Sequence, residues 1–566
     1  MTKKDYIKLL ETIATYMELQ GANPFKISAY RKAAASLERL DQDINEIEDF
    51  TKLDGIGKSV ASVLLEFQAN GESSLLNELK VSIPEGLIQM LKIRNLGAKK
   101  IVKIHKALQI DTIEQLTKAC ENHEISTLPG FGKTSEANIL KGIQDLLTMN
   151  ERMVIYDVMK SVNEIDAYLN QCNDIDQFEV AGSYRRMNET SKDIDYIIST
   201  KDREKVSEYI QTAPFVLEVE LSGNEKITIK YQREDIICTV DFRFTDNKGF
   251  AHMLQHFTGS KDHNIKIRQL AKQKNEKISE YGITQADGNI IQYEDEASIY
   301  RHFNVNYIPP MLRTDGSEFD FDTSQLIHLQ DIKGDLHMHT TYSDGAHTLE
   351  QMIEANIQKG YEYMVITDHS KSLFVANGLP VDKLLEQNER IKQLNEKYSE
   401  IDIYSGIEMD ILPDGSLDYP DEVLSRLDYV IAAIHQSLNQ PEAQIMERLK
   451  VACENPYVRH IAHPTGRILG RRGAYQVNVD ALIQMAKETN TYLELNANPM
   501  RLDLNSEILL NNPDLKITIN TDAHHVDQLN LMKFGVGTAI KGRVNKDNVL
   551  NTLSRAAFKE FIMNGK

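Results

Sequence analysis

Two groups of side chains in this sequence have the types and spacing to hold metal ions beside a phosphoester. In Ser191-Lys192-Asp193-Ile194-Asp195 the carboxylates stand two residues apart, so on a strand both project from one face. Asp241 follows the apolar run Ile236-Ile237-Cys238-Thr239-Val240, a second strand able to lie alongside. Three carboxylates brought together repel unless cations sit among them, as in two-metal phosphoryl-transfer sites with ions about 3.5–4 Å apart. An Asp-x-Asp pair by itself is more often a solvated strand end. Here it follows Gly182-Ser183-Tyr184-Arg185-Arg186, a turn offering N–H groups and a hydroxyl, then guanidiniums that fork onto phosphate oxygens.

The second group is rich in histidine. Most of the 16 histidines lie beyond residue 327. Gly334-Asp335-Leu336-His337-Met338-His339 puts two imidazoles on one face of a strand end, and Asp344 follows in the next loop. Later apolar runs end at His369, Glu408, His435, His463, and Asp522 with His524. One histidine at a strand end is usually a hydrogen-bonded structural residue, but six strand ends delivering ligand types to one face need another account. These nine residues suffice for about three cations at three or four protein ligands each. Imidazole mixed with carboxylate suits Mn²⁺, Zn²⁺ or Fe²⁺ better than Mg²⁺, and the choice among them stays open. Arg467, Arg471 and Arg472 follow His463 and can hold substrate phosphates or form a solvated loop. Asp368 and His525 are expected behind the ligands or on the surface.

Elements of three kinds must position these groups. Residues 1–150 read as helices, with Ile7, Leu10, Ile13, Ala14 and Met17 at the spacing of one buried face. Leu53-Asp54-Gly55-Ile56-Gly57-Lys58 recurs as Leu128-Pro129-Gly130-Phe131-Gly132-Lys133, and Asn95-Leu96-Gly97-Ala98-Lys99-Lys100 is a degenerate third copy. Such glycines form a tight turn into a helix N-terminus, whose free N–H groups and dipole favour a phosphate. From 151 to 313 strands and helices mix, and the polar, acidic stretch 314–331 around Asp315-Gly316-Ser317 reads as a linker. Beyond it, β-branched runs at 332–336, 363–367, 402–407, 428–434, 458–462, 491–495 and 516–521 alternate with helical stretches. That pattern predicts a parallel (β/α)7-like barrel with its chemistry at the C-terminal strand ends.

Composition sets the bounds. The 566 residues exceed one core and predict several domains, 41% hydrophobic and 26% charged. No apolar run approaches the length of a membrane span, so a cytoplasmic protein is expected. Cys120, Cys172, Cys238 and Cys453 form no C-x-x-C and read as packed thiols. A net charge of −20 opposes nucleic-acid binding, yet residues 1–150 carry 19 basic against 20 acidic side chains, so nearly all the excess lies beyond them.

The glycine repeats resemble helix-hairpin-helix modules, which grip DNA backbones without reading bases. The G-S-x-R-R then D-x-D constellation resembles the α+β nucleotidyltransferase palm of family X DNA polymerases. Phe257-Thr258-Gly259-Ser260, Asn264, Arg268 and Tyr307-Ile308-Pro309-Pro310-Met311-Leu312-Arg313 continue the likeness, and Phe25-Lys26-Ile27-Ser28-Ala29-Tyr30-Arg31 matches the family's DNA-end-binding domain. The strand-end ligands resemble those of the PHP (polymerase and histidinol phosphatase) superfamily. Together they match the bacterial and archaeal branch of family X.

The resemblance implies a helical DNA-end-binding domain at 1–90 and a fingers-like helical region at 91–150. A palm at 151–235 would be followed by the end of the palm and a small thumb-like, nucleotide-selecting subdomain at 236–313. The linker, 314–331, would lead to a metal-dependent phosphoesterase at 332–566. It implies Asp193, Asp195 and Asp241 as catalytic ligands of Mg²⁺ or Mn²⁺, and Gly182, Ser183, Arg186, Phe257, Gly259, Asn264 and Arg268 as dNTP contacts. Lys26, Gly55, Gly57, Lys58, Gly97, Gly130, Gly132 and Lys133 would touch DNA, and Arg467 and Arg471 substrate phosphates in the barrel.

The implied activity is gap filling in DNA repair by a monomer acting on gapped or nicked DNA, coupled to a Mn²⁺-dependent 3′→5′ exonuclease and open to apurinic-site cleavage. Small phosphoesters or pyrophosphate as the barrel's substrates, and a non-catalytic DNA-end scaffold, are the alternatives. Two positions depart from the family. Val63 replaces the lysine that forms an imine in lyase-active members, and His256 stands where animal relatives carry Tyr before Phe257.

Overall fold

Each glycine motif leads into a helix N-terminus in the computed structural model, which describes residues 3–38, 44, 47, 49–53, 55–91, 93, 96–150, 152–234 and 236–565. Gly57 caps Lys58–Asn70, Gly97 caps Ala98–Leu108, and Gly132 immediately precedes Lys133–Asn150. Gly55 and Gly130 have φ of +78° and +86°, a conformation that glycine adopts at no steric cost. A methyl group at Gly57, Gly97 or Gly132 would meet nothing within 4 Å, so each helix end lies open to a ligand. Asp54 and Asn95 of these motifs lie outside the described residues. Leu10, Ile13, Ala14 and Met17 are buried as their spacing predicts, with Tyr6, Phe50 and Leu64 in one helical core. Val63 is buried there too. Lys26, Lys58 and Lys133 are exposed.

Met1–Glu151 and Arg152–Lys566 form two units. In the second, the strands β1 (Ile175–Val180), β2 (Asp193–Thr200), β3 (Val216–Ser222), β4 (Lys226–Arg233) and β5 (Ile236–Thr245) make a mixed sheet of order β1-β2-β5-β4-β3. Alternation along β2 sends Ile194, Tyr196 and Ile198 into a core with the helices Ile155–Leu169 and Arg203–Gln211. Asp193 and Asp195 therefore occupy the opposite face. β5 runs parallel to β2 and pairs Asp241 with Asp195.

Seven parallel strands follow in consecutive order: β6 (Gly334–Asp335), β7 (Tyr363–Ile366), β8 (Asp402–Asp410), β9 (Tyr429–Ala433), β10 (Val458–Ile461), β11 (Tyr492–Asn496) and β12 (Ile517–Asn520). They lie where the apolar runs predict, with β8 continuing past Glu408 to the buried Asp410. The ends of the sheet meet beyond β6 and β12, where Met338 bridges Ala523 and His339 N donates to Ala523 O at 2.8 Å.

The stretch 314–331 is packed rather than loose. Glu318, Leu326 and Ile327 are buried, and Glu318 accepts a 2.7 Å bond from the buried His263. Its acidic composition conceals the apolar residues that anchor it. Palm and barrel also share a core: Leu502, Leu531 and Phe534 join the palm cluster, and Phe534 stands edge-on to Tyr184 with ring centroids 6.3 Å apart. Removing a buried aromatic ring costs about 3–5 kcal/mol. Phe534→Ala is expected to destabilise Arg152–Lys566 by that amount in urea unfolding followed by circular dichroism. A loss under about 1 kcal/mol would contradict the shared core.

Candidate active sites and metal centres

Asp193, Asp195 and Asp241 meet on one face of the five-stranded sheet, at the start of β2 and midway along β5. Asp241 is held by three donors: Thr228 Oγ1 at 2.6 Å, Lys226 Nζ at 2.9 Å and Arg243 Nη2 at 3.3 Å. Asp195 has less compensation, and burial together with Asp193 pushes its carboxyl up to about 6, with Arg243 opposing. A carboxylate so strained by its neighbours calls for added positive charge. Gly182, at φ +61°, lies so close that a Cβ there would stand 2.6 Å from Asp195 Oδ2.

Beside the carboxylates lies a cavity of about 470 Å³. Gly182, Ser183, Arg186, Asp193, Asp195, Phe257, Gly259 and Asn264 line it, as do Arg152, Asn188, Lys192, His256, Ser260 and Lys261, six residues outside the expected contacts. Ser183 Oγ donates to Ser191 Oγ at 2.8 Å. The adjacent arginines part company. Arg185 is spent on Glu296, at 2.7 and 3.2 Å, and on Thr258 Oγ1, while Arg186 bonds the Thr258 carbonyl from within the cavity wall. Asn264 is occupied by the His256 carbonyl at 2.7 Å and by Gln255 at 3.0 Å, and Arg268 is exposed one turn further along the helix and does not line the cavity. Arg243 lies over the Phe257 ring, 3.9 Å from its centroid. Burial lowers the pKa of His256, so its ring sits neutral against Phe257.

All nine expected barrel residues converge at the C-terminal ends of the strands. Glu408 lies at their centre: its Oε2 is 2.8 Å from His369 Nδ1, 3.4 Å from His337 Nε2 and 3.5 Å from His339 Nε2, and its Oε1 is 2.9 Å from His463 and 3.2 Å from His435. Asp522 lies 3.1 Å from His339, and Asp344 lies 3.4 Å from His524 and 3.7 Å from His369. Four overlapping groups result among the described residues, His339-Asp344-His369-His524, His337-His339-Asp522, His369-Glu408-His435 and, with two residues outside the expected set, His337-His460-Glu494, each with its ligand atoms within 4.8 Å of one another.

His337 Nε2 and His339 Nδ1 are buried without a hydrogen-bond partner, and His369 Nδ1 and Glu408 Oε2 approach to 2.8 Å without the alignment of a hydrogen bond, an arrangement that cations among them would relieve. His463 and Asp522 hold φ of +30° and +54°, strain of about 1–3 kcal/mol of the kind that collects at functional sites.

Two residues unmarked by sequence reasoning, Glu494 and Asp410, brace the expected ligands, and Asp368 stands behind them as expected. Glu494 on β11 accepts from His337 Nδ1 at 2.8 Å, and Asp410 accepts from His435 Nδ1 at 2.7 Å. The alternation of β11 offered one signal, an acidic residue in an otherwise apolar run. Asp368 stands behind the ligands, taking bonds from Thr340, Ser343 and Gln387 and so shaping the loop before Asp344. Arg467 is not turned to the histidine cluster: it pairs with Glu189 at 2.7 and 3.3 Å and with the Leu502 carbonyl. Arg472 bonds the Gly466 carbonyl, and Arg471 is exposed. The arginine beside the cluster is Arg501, 3.7 Å from Asp522 with a buried, unpartnered Nη1.

Known proteins divide along the same lines. Residues 1–73 match the helix-hairpin-helix domain, 87–145 the SAM-like helix-hairpin-helix tandem, 253–314 the DNA polymerase beta thumb and 335–498 the PHP domain. A DNA polymerase/3′-5′ exonuclease, PolX of Bacillus subtilis (strain 168), is 48% identical over 567 aligned positions covering 99% of both chains. A probable phosphatase of Thermoanaerobacter sp. (strain X514) is 27% identical over 231 residues, covering 38% of this chain and 89% of its own. A probable phosphatase of Caldanaerobacter subterraneus is 30% identical over 168 residues, 29% of this chain and 61% of its own. With both ends of so long an alignment covered, this chain belongs to the family X DNA polymerases that carry a PHP domain.

Proposed function

We propose that this protein is a DNA-directed DNA polymerase that fills short gaps during repair, and that its barrel is a Mn²⁺-dependent 3′→5′ exonuclease that trims the primer end. The observation that carries the reading is that Asp193 and Asp195, with Asp241 paired to Asp195 on the next strand, border a cavity walled by Gly182, Ser183 and Arg186. The all-oxygen donor set fits Mg²⁺ or Mn²⁺, held by Asp193 and Asp195 with Asp241 on the catalytic side. Such ions, when bound, supply charge neutralisation at the attacking and leaving oxygens. The chain's own groups do the rest. Ser183, Arg186 and the Gly182 amide hold the β and γ phosphates of the incoming dNTP, Phe257 and Gly259 bound its sugar, and Asp241 helps draw the proton from the primer 3′-hydroxyl. With Val63 buried and apolar where a lysine would be needed, lyase chemistry by that route is left out.

In the barrel, His337, His339, Asp344, His369, Glu408, His435, His463, Asp522 and His524 would hold about three divalent ions, which supply Lewis acidity for attack of water on phosphorus. Glu494 and Asp410 orient His337 and His435, and Arg501, rather than Arg467 or Arg471, faces the substrate phosphate. The helix-hairpin-helix ends bring DNA to the chain, which favours a primer end as the barrel's substrate. The two probable phosphatases favour a second reading, hydrolysis of a small phosphoester.

A gapped, 5′-labelled primer with Mn²⁺, with and without dNTPs, tests both readings. Asp193→Ala/Asp195→Ala is expected to lose extension by roughly 10²–10³-fold or more and keep degradation. His339→Ala/His435→Ala is expected to do the reverse, and a chelator to stop both. Degradation undiminished in the histidine variant would end the exonuclease assignment. If that variant lost only phosphate release from a small monoester, the second reading would replace it. Glu494→Gln should weaken metal binding by about 10- to 100-fold in Mn²⁺ titrations, since it removes the acceptor that orients His337. An unchanged titration curve would show Glu494 to be packing alone. Lys58→Gln/Lys133→Gln should weaken binding to DNA of any sequence and reduce the log–log salt slope by about 2. A wild-type slope would exclude these lysines as phosphate contacts.

A further inference from the structure

The barrel reaches into the wall of the polymerase cavity. Its helix Met532–Lys541 ends at Lys541, whose Nζ donates to Asn188 Oδ1, and Asn188 lines the cavity beside Ser183, Arg186 and Lys192. The same helix presses on the loop before β2. Gly537 is so close to Met187 that a Cβ there would stand 2.7 Å from Met187 Cγ, and Met187 is held at φ +52°. On the far side of the loop Arg467 grips Glu189 with both terminal nitrogens, at 2.7 and 3.3 Å. Residues 186–189, which carry two cavity groups, are thus set by the barrel from two directions.

The charges there are unbalanced. Burial and the neighbouring Arg186 push Lys541 down to about 8, opposed by Glu189 alone, whose carboxylate is already shared with Arg467. Two cations brought together in a half-buried place are unfavourable until an anion joins them. Lys192, on the same cavity wall, adds to the excess. Asp195 counters Arg186 within the same cavity, and Arg186, Lys192 and the neighbouring Lys541 together form a group of cations suited to a phosphate.

From this geometry we propose that Lys541 is a positioning residue of the polymerase site, supplied by the barrel: through Asn188 and Arg186 it sets the cavity for the terminal phosphate of the incoming dNTP. Nucleotide affinity then depends on the seating of the barrel against the palm. The inference rests on the assignment of Gly182, Ser183 and Arg186 to the triphosphate.

Steady-state extension of a gapped primer by the full chain tests it, with wild type compared with Lys541→Gln, Lys541→Arg and Arg186→Ala. A charge-assisted contact of this kind corresponds to a roughly ten-fold change in affinity. Lys541→Gln is expected to raise the dNTP KM by about that factor with kcat nearly unchanged, Lys541→Arg to restore most of it, and inhibition by inorganic triphosphate to weaken more than inhibition by pyrophosphate. Primer degradation without dNTP, measured on the same preparations, reports that the barrel is folded. An unaltered KM in Lys541→Gln, or an equal loss of KM and kcat that Arg does not restore, would overturn the proposal. If Arg186→Ala also left KM unaltered, the triphosphate assignment itself would fall.

Discussion

Mutual repulsion of carboxylates gathered on adjacent strands is the constraint that the five-stranded sheet has to hold in check. Asp195 and Asp241 are register partners on parallel strands, and Asp193 projects from the same face two residues away. Nothing in a flexible loop would hold three like charges together. A sheet does so because its hydrogen-bond ladder and the apolar face of Tyr196, Ile198, Phe242 and Phe244 fix the register. The compensation is unequal: Asp241 has Lys226, Thr228 and Arg243, while Asp195 faces its neighbours with little help. That inequality leaves Asp195 the carboxylate most in need of added positive charge.

The barrel meets the same constraint with a different solution. Its strands run parallel, so all C-terminal ends open on one side, and short loops return imidazoles and carboxylates to a common centre at Glu408. Most buried polar groups in proteins find partners, yet here several ring nitrogens and one carboxylate oxygen do not. Glu494 and Asp410 hold two of the rings by their other nitrogens, which leaves the inward nitrogens free to coordinate. Ordered from behind and unsatisfied in front, the cluster is preorganised for metal.

Palm and barrel are joined more closely than a chain of separate modules would be. The thumb-like residues Ile299, Phe303 and Leu312 belong to the barrel's hydrophobic cluster, and Phe534 of the barrel belongs to the palm's. Arg467 illustrates the cost of this union for residue-by-residue reading. As a guanidinium just after a metal-site histidine it suits a phosphate, but in the folded chain it closes an interdomain pair with Glu189.

Read alone, the sequence determined whatever depends on local period and local chemistry. The seven apolar runs located the barrel strands, the D-x-D spacing put two carboxylates on one face, and Gly-x-Gly motifs before helices marked open N-termini. Strand-end histidines could be recognised because a parallel barrel delivers every such end to one place. Choices between chemically equivalent residues were left to the tertiary structure. Arg185 and Arg186 are adjacent and identical in type, yet Glu296, 110 and more residues away in sequence, claims the first and leaves the second in the cavity wall. Arg501 displaces Arg467 as the guanidinium beside the metal cluster, and the acidic stretch 314–331 is pinned by Glu318 on a buried histidine. Lys541 reaches the polymerase cavity from a helix more than 350 residues away in sequence. In each case the deciding partner lies outside the local segment, and only packing brings the two together.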